Sequence, residues 1–445
     1  MNIRFFCLCI TVLNFAVNAK LADNFEKIAN EREVVVDSET GREIVYLSDG
    51  KYLNSAQYPH NKGWLEDDKY VIFESVRPRP DGKPSTGDNS DYHRTERQLL
   101  AADIGNGDIY WLASIEVEDT VKYGKNHLSM SSQYHSDYAP ESNVVVYYDM
   151  TGHNLYLLDL DNGQRKLLWN IAIGTLGDPP TITDDGSRVI VFAVHPGPEN
   201  GSFFSGRTTA VYSIDLDPET NEILDGPSVV FTWTNRAVVS HPKDTNGVNL
   251  SHAVINPLDK DEMFFCHGYS GLSNGSVESA RMWSAKTDGS LVKMDTITPP
   301  GVIHTHEVWA GQYKYFVDIP THDEVIIDGG ITRYDPRSGK VEKIIEGVIP
   351  SPVHVAVSRD GKRIIWDTMY SLTRITRGES VEQNNPEDLV MFDVPSGKTI
   401  KLARIMGGLR HPRHIHPNIT PDGSKVVFTV AHEANSRVAV IKIDK

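Results

Sequence analysis

The chain has 445 residues, with 44 Lys and Arg against 60 Asp and Glu and a net charge of -16. That balance excludes a general polyanion-binding surface, and no Lys/Arg run points to nucleic acid. A local cluster of His and Arg can still hold one acidic ligand whatever the overall charge. After the first residues, no stretch approaches the ~18 consecutive apolar residues of a membrane-spanning helix.

Residues 1–19 read as a secretory signal. Arg4 gives a positive start, Phe5 to Val17 is mostly apolar, and Val17-Asn18-Ala19 offers small residues for cleavage. Cys7 and Cys9 would leave with it, so Cys266 would stand alone and no disulfide could form within the remaining chain. The expectation is a periplasmic or secreted protein whose residues 20–445 form a single domain.

The chain then repeats itself. A turn rich in Asp, Gly, Pro or Lys precedes a short β-branched or aromatic run, first at Glu66 to Lys69 before Val71-Ile72-Phe73. The pattern returns before Val144, Val189 and Met263, at Tyr313 to Val317, and before Ile364 and Val426, which makes seven copies. A Tyr- or Phe-containing strand, an Asp and a Gly turn follow most of them, as in Tyr156 to Gly163 and Phe392 to Gly397. Each pair reads as two antiparallel strands joined by a tight turn. Recurrence at roughly 45 to 75 residues predicts an all-β, seven-bladed β-propeller, because one blade cannot bury both of its faces alone. Helical periodicity is nearly absent, the best stretch being Leu21 to Glu33. Two long loops are expected, Arg77 to Arg97 and Pro196 to Arg207.

Histidine carries the chemistry. His411-Pro412-Arg413-His414-Ile415-His416 places three imidazoles in six residues, with His414 and His416 at strand period, and His304-Thr305-His306-Glu307 is a second dense spot. Neutral imidazole is the commonest ligand for borderline divalent metals. Others also precede repeat strands: His127 and His135 before Val144, His252 before Met263, His354 before Ile364. In a propeller such positions face one channel mouth. A scaffold propeller of the TolB type fits the strand repeats equally well but has no need of these imidazoles.

Asn126-His127, Tyr156 to Leu160, Phe265-Cys266-His267-Gly268, Ala280-Arg281-Met282-Trp283, Thr305 to Trp309 and His414-Ile415-His416-Pro417 resemble, in order, motifs of the oligogalacturonate lyases. Those are seven-bladed propellers that cleave uronate oligosaccharides by β-elimination with a divalent metal, typically manganese. The resemblance implies metal ligands at His306, His414 and His416, with His411 where the family has Gln. An all-imidazole set shifts preference from Mn²⁺ toward Zn²⁺, Ni²⁺ or Cu²⁺.

By the same resemblance His252 is the proton-abstracting base, although Ser251 and Ala253 stand where the family has Gly and Pro; His267 is its rival. Arg207 is the candidate for the family's catalytic arginine. His127, His135, His267, Arg281 and His354 are expected to contact the acidic oligosaccharide. Ulvan or another uronate polymer is the alternative substrate, with Tyr134, Tyr138 or Tyr269 then catalytic.

Overall fold

The computed structural model describes residues 21–65, 68–83, 95–116, 135–172, 174–195, 208–234, 250–267, 281–295, 302–320, 329–348, 352–368, 384–408 and 412–443. They form seven antiparallel sheets in a ring, the expected seven-bladed β-propeller. The seven repeat strands foreseen from the sequence are the second strands of the blades: Tyr70–Ser75, Val144–Tyr148, Arg188–His195, Asp259–His267, Tyr313–Pro320, Arg363–Thr368 and Lys425–His432. We number the blades one to seven in that order.

The turns explain the repeated Asp-Gly. In blades three, six and seven the Asp carboxylate accepts the main-chain N–H two residues on: Ser187 on Asp185 at 2.9 Å, Lys362 on Asp360 at 3.0 Å and Ser424 on Asp422 at 2.8 Å. The residue between must take a left-handed φ, 77° at Gly186, where a Cβ would also lie 2.1 Å from Ser142 Oγ.

The second strands carry apolar runs through their centres because each lies between two neighbouring blades. Val144 and Val146 face Ile182 and Val189 between blades two and three, while Ile365 and Leu389 face Val426 and Phe428 between blades six and seven. Each such side chain contributes about 1.5–3 kcal/mol when fully buried. The ring closes by joining the two ends of the chain: Glu33–Val36 and Glu43–Tyr46 extend the last blade, with Val45 opposite Val440.

Leu21 to Glu33 is not an amphipathic helix. Helix covers only Leu21–Asn24, and Glu26–Asn30 is a strand on the outer edge of blade one, paired with Asp108–Ile115. One turn cannot repay helix nucleation, whereas an open sheet edge offers hydrogen bonds immediately.

The innermost strand of blade one is interrupted. Asn54–Ala56 and Trp64–Leu65 both pair with Tyr70–Ser75, Ala56 opposite Phe73 and Trp64 opposite Val71. Gln57 to Gly63 leaves the sheet between them and touches every other blade. Lys62 bonds Asp137 and Ile182, and Asn61 Nδ2 donates to Pro180 O at 3.3 Å. Asn418 Nδ2 donates to Asn61 O at 2.5 Å and Tyr58 O at 3.3 Å. The rings of Tyr58 and His60 lie among histidines of blades four to seven. This segment is a plug on the ring axis.

Candidate metal centre and active site

The innermost strands of blades three to six share one irregularity. Their register breaks between Gly177 and Thr181, Ser251 and Val254, Thr305 and Val308, and Pro352 and Val355. Bulges of this kind re-aim a side chain out of the sheet. In three of them a non-glycine residue takes a left-handed φ: Asp178 (58°), His252 (49°) and His306 (54°); His416 does the same in blade seven (44°). Such backbone costs about 1–3 kcal/mol per residue and collects at functional sites. Equivalent bends in neighbouring blades aim their side chains at one axis.

The result is a group of imidazoles around Tyr58. Its ring centroid lies 4.6 Å from that of His60, 5.1 Å from His416, 5.8 Å from His252, 6.4 Å from His354 and 6.5 Å from His306. His354 is the hub of the other contacts, with centroids at 4.2 Å from both His306 and His416 and 5.5 Å from His414. Ligand atoms of His354, His414 and His416 all lie within 4.8 Å of one another, close enough to converge on one ion.

The surroundings suit these rings for metal. Asp367 takes two hydrogen bonds from His354, its main-chain N–H on Oδ1 at 2.7 Å and its ring Nδ1 on Oδ2 at 2.8 Å. That bond leaves Nε2 as the lone-pair nitrogen, the arrangement found behind many metal-bound histidines. Burial pushes His354 down to about 3 and Asp367 up to about 7, so the low-polarity site disfavours charge on both. His306 is held well below the usual imidazole range by burial and then by His354, and its buried Nδ1 has no hydrogen-bond partner among the described residues. Neutral, desolvated imidazoles are what a divalent ion needs.

Asp367→Asn must turn an amide NH₂ toward one of the two His354 donors. Metal affinity is expected to fall about 10–100-fold, measured by calorimetric titration of the metal-free protein; unchanged affinity would mean that Asp367 does not orient His354.

Beside the cluster lies an ion pair whose carboxylate is fully buried. Arg281 grips both oxygens of Glu307, through Nε to Oε1 and through Nη2 to Oε2 at 3.2 Å. Burial alone would raise the Glu307 pKa, but the Arg281 charge and hydrogen bonds outweigh it and hold the carboxyl at about 2. Cys266 also hydrogen-bonds this carboxylate, and the His60 ring bonds the Glu307 main chain. His252 is tethered from the other direction, its N–H donating to Asp178 Oδ2 at 2.7 Å.

Of the residues singled out from sequence, His252, His306, His354, His414 and His416 come together. His354, expected to touch substrate, lies in the trio with His414 and His416. His135 lies elsewhere: it is completely buried, with its N–H on Glu74 Oε1 at 2.8 Å and Nδ1 3.1 Å from Oε2, beside Arg97 on the same carboxylate. Arg281 is committed to Glu307. Tyr138 donates its hydroxyl to Asn143 at 2.9 Å and lines a cavity of about 130 Å³ with Lys62 and Arg359.

His127, Arg207, His411, Tyr134 and Tyr269 lie outside the described residues, as does the side chain of His267. The His414–His416 stretch is bend and coil rather than extended strand; the rings meet, with centroids 5.3 Å apart, through the left-handed φ at His416.

Sequence reasoning missed Tyr58, His60, Asp178 and Asp367. The signal for His60 was present, since it too precedes a repeat strand. A left-handed residue or a carboxylate brought from a neighbouring strand has no such signature.

Comparison with known proteins agrees with this fold. Residues 239–445 match the oligogalacturonate lyase family model. The oligogalacturonate lyase of Dickeya dadantii is 25% identical over 192 residues, 40% of this chain and 46% of that protein, so the chain spans about half the length of the curated relatives it matches. A solved oligogalacturonate lyase in complex with manganese superposes with a TM-score of 0.69 at 16% identity, covering 95% of this chain and 98% of that one. The oligogalacturonate lyase of Vibrio parahaemolyticus gives 0.68 at 18% identity, covering 95% and 99%. The resemblance to the oligogalacturonate lyases is borne out, in sequence over the C-terminal half and in fold over nearly the whole chain.

Proposed function

We propose that this protein is a metal-assisted lyase that cleaves uronate oligosaccharides, oligogalacturonate first among them, by β-elimination. The observation that carries the reading is the convergence of His252, His306, His354 and His416 around one buried ring, with His414 against His354 and His416. The family match over residues 239–445 supports oligogalacturonate as the substrate class.

Elimination removes the proton on carbon 5 of a uronate, forms a double bond between carbons 4 and 5, and breaks the bond from carbon 4 to its oxygen. His354, His414 and His416 would hold a divalent cation, with His306 as the fourth imidazole against them. Bound there, it supplies a Lewis acid for the substrate carboxylate, which makes the carbon-5 proton easier to remove. His252 takes that proton on its ring, held toward the axis by its left-handed backbone and the Asp178 tether. The departing oxygen takes a proton from solvent. Arg281 keeps Glu307 ionised beside this centre.

An imidazole set favours zinc, nickel or copper over the manganese of the solved relative. The N-terminal signal pattern supports a periplasmic or secreted location, where pectic fragments are met.

The test is incubation with oligogalacturonate, and with ulvan for comparison, before and after chelation, following the ultraviolet absorbance of the unsaturated product. Absorbance should rise with oligogalacturonate, stop after chelation and return with added metal. No product on either polymer with zinc, nickel, copper or manganese supplied would exclude the lyase.

A further inference from the structure

The plug carries a role that neither fold nor family match assigns. We infer that Tyr58 is a positioning residue for the whole centre, setting the spacing between the metal ligands and the base through its ring. The inference rests on the metal and base roles proposed above.

Three observations converge on it. Tyr58 touches the rings of His252, His306, His354 and His416, which come from blades four, five, six and seven; these are the candidate base and three candidate ligands. No other described side chain has ring contacts with all four. Second, the segment is anchored where it must be rigid. Asn418, two residues beyond His416, bonds the main chain of both Tyr58 and Asn61, and Asn61 N–H closes the turn onto Tyr58 O at 2.9 Å. Third, the neighbouring ring of His60 meets His252 edge-on at 5.6 Å and perpendicular, so the base is flanked by two rings of one anchored turn.

The physical need is clear from the backbone. Four bulged or bent segments, three of them with a left-handed histidine, must keep their rings in register across blades that share no hydrogen-bonded sheet. Aromatic contacts, all made to one buried ring, link those segments directly. Tyr58 itself is 7% exposed, and its place among the ligands is therefore set by packing rather than by solvent.

Tyr58→Leu fills most of the volume but has no ring, and Tyr58→Phe keeps the ring without the hydroxyl. Metal affinity of each purified chain is measured with zinc alone by calorimetry, and kcat and KM are measured on oligogalacturonate. Tyr58→Leu is expected to weaken zinc binding tenfold or more. It should lower kcat about 100-fold, the effect of an ångström of misplacement, with KM changed much less. Tyr58→Phe should restore both. Thermal unfolding establishes that each variant is folded at the assay temperature, and should Tyr58→Leu fail there, Tyr58→Trp tests the same spacing by enlarging the ring.

Wild-type affinity and kcat in a folded Tyr58→Leu or Tyr58→Trp would overturn the inference. So would a Tyr58→Phe as impaired as Tyr58→Leu, since the hydroxyl rather than the ring would then be responsible. If the wild-type chain is inactive on every uronate, the lyase reading fails, while the zinc measurement still decides the role of Tyr58.

Discussion

His416→Ala is expected to abolish stoichiometric metal binding and to reduce uronate elimination by about 10³-fold or more, the scale of losing a Lewis acid worth several kcal/mol. His416 has no exposed surface, takes a left-handed φ of 44°, and lies against both His354 and Tyr58. Its main chain also bonds Asp367, which orients His354. Losing this imidazole breaks the His354–His414–His416 trio and leaves only His354, His414 and the ring of His306 against them, fewer ligands than a tight four-coordinate site needs. Metal content after dialysis is the direct measurement, with product absorbance as the second. The control is His304→Ala: His304 sits on the same strand as His306, but its Nε2 faces Asp318 at 3.2 Å and its ring packs on Phe316. That variant should lose some stability and keep its metal. Full metal content in His416→Ala would move the site away from His354 and His414.

How much of this was legible in the sequence depends on the range of the interaction. The second strands were visible because a strand buried between two blades carries an apolar run through its centre, and because Asp-Gly turns leave a local signature. The seven copies therefore gave the blade count. The histidines were visible as a class, since residues at the starts of innermost strands face the axis in any propeller. What stayed hidden was which of them meet.

His135 obeys the same positional rule as His252, yet Glu74 and Arg97 from blade one capture it. Its carboxylate partner lies 61 residues earlier in the chain. His354 was expected as a substrate contact, and nothing local to it announced the carboxylate of Asp367 behind its ring. Period-two reasoning put His414 and His416 on one strand face, whereas a bend and a left-handed φ bring their rings together instead. The plug was the largest omission. Tyr58-Pro59-His60 reads as an ordinary loop, and only the pairing of Asn54–Ala56 and Trp64–Leu65 with one strand shows it to be an excursion across the axis.

His252→Asn is expected to lower kcat by about 10²–10⁴-fold, the usual worth of a positioned general base, while metal content stays at the wild-type level. Asparagine suits the test because it tolerates the left-handed φ of 49° better than alanine does, so the bulge and the hydrogen bond to Asp178 should survive. Retained metal separates this variant from His416→Ala and shows that the defect lies in proton transfer. The neighbourhood supports that separation. His252 contacts Tyr58 and His60 but is not in the His354–His414–His416 trio, and Glu307 beside it stays ionised under the hold of Arg281. A protonated imidazole formed during the reaction would thus have a carboxylate close by to stabilise it. Steady-state kinetics on oligogalacturonate decide the matter: a His252→Asn variant with wild-type kcat would transfer the base role to another group, with His267 the first to be substituted next.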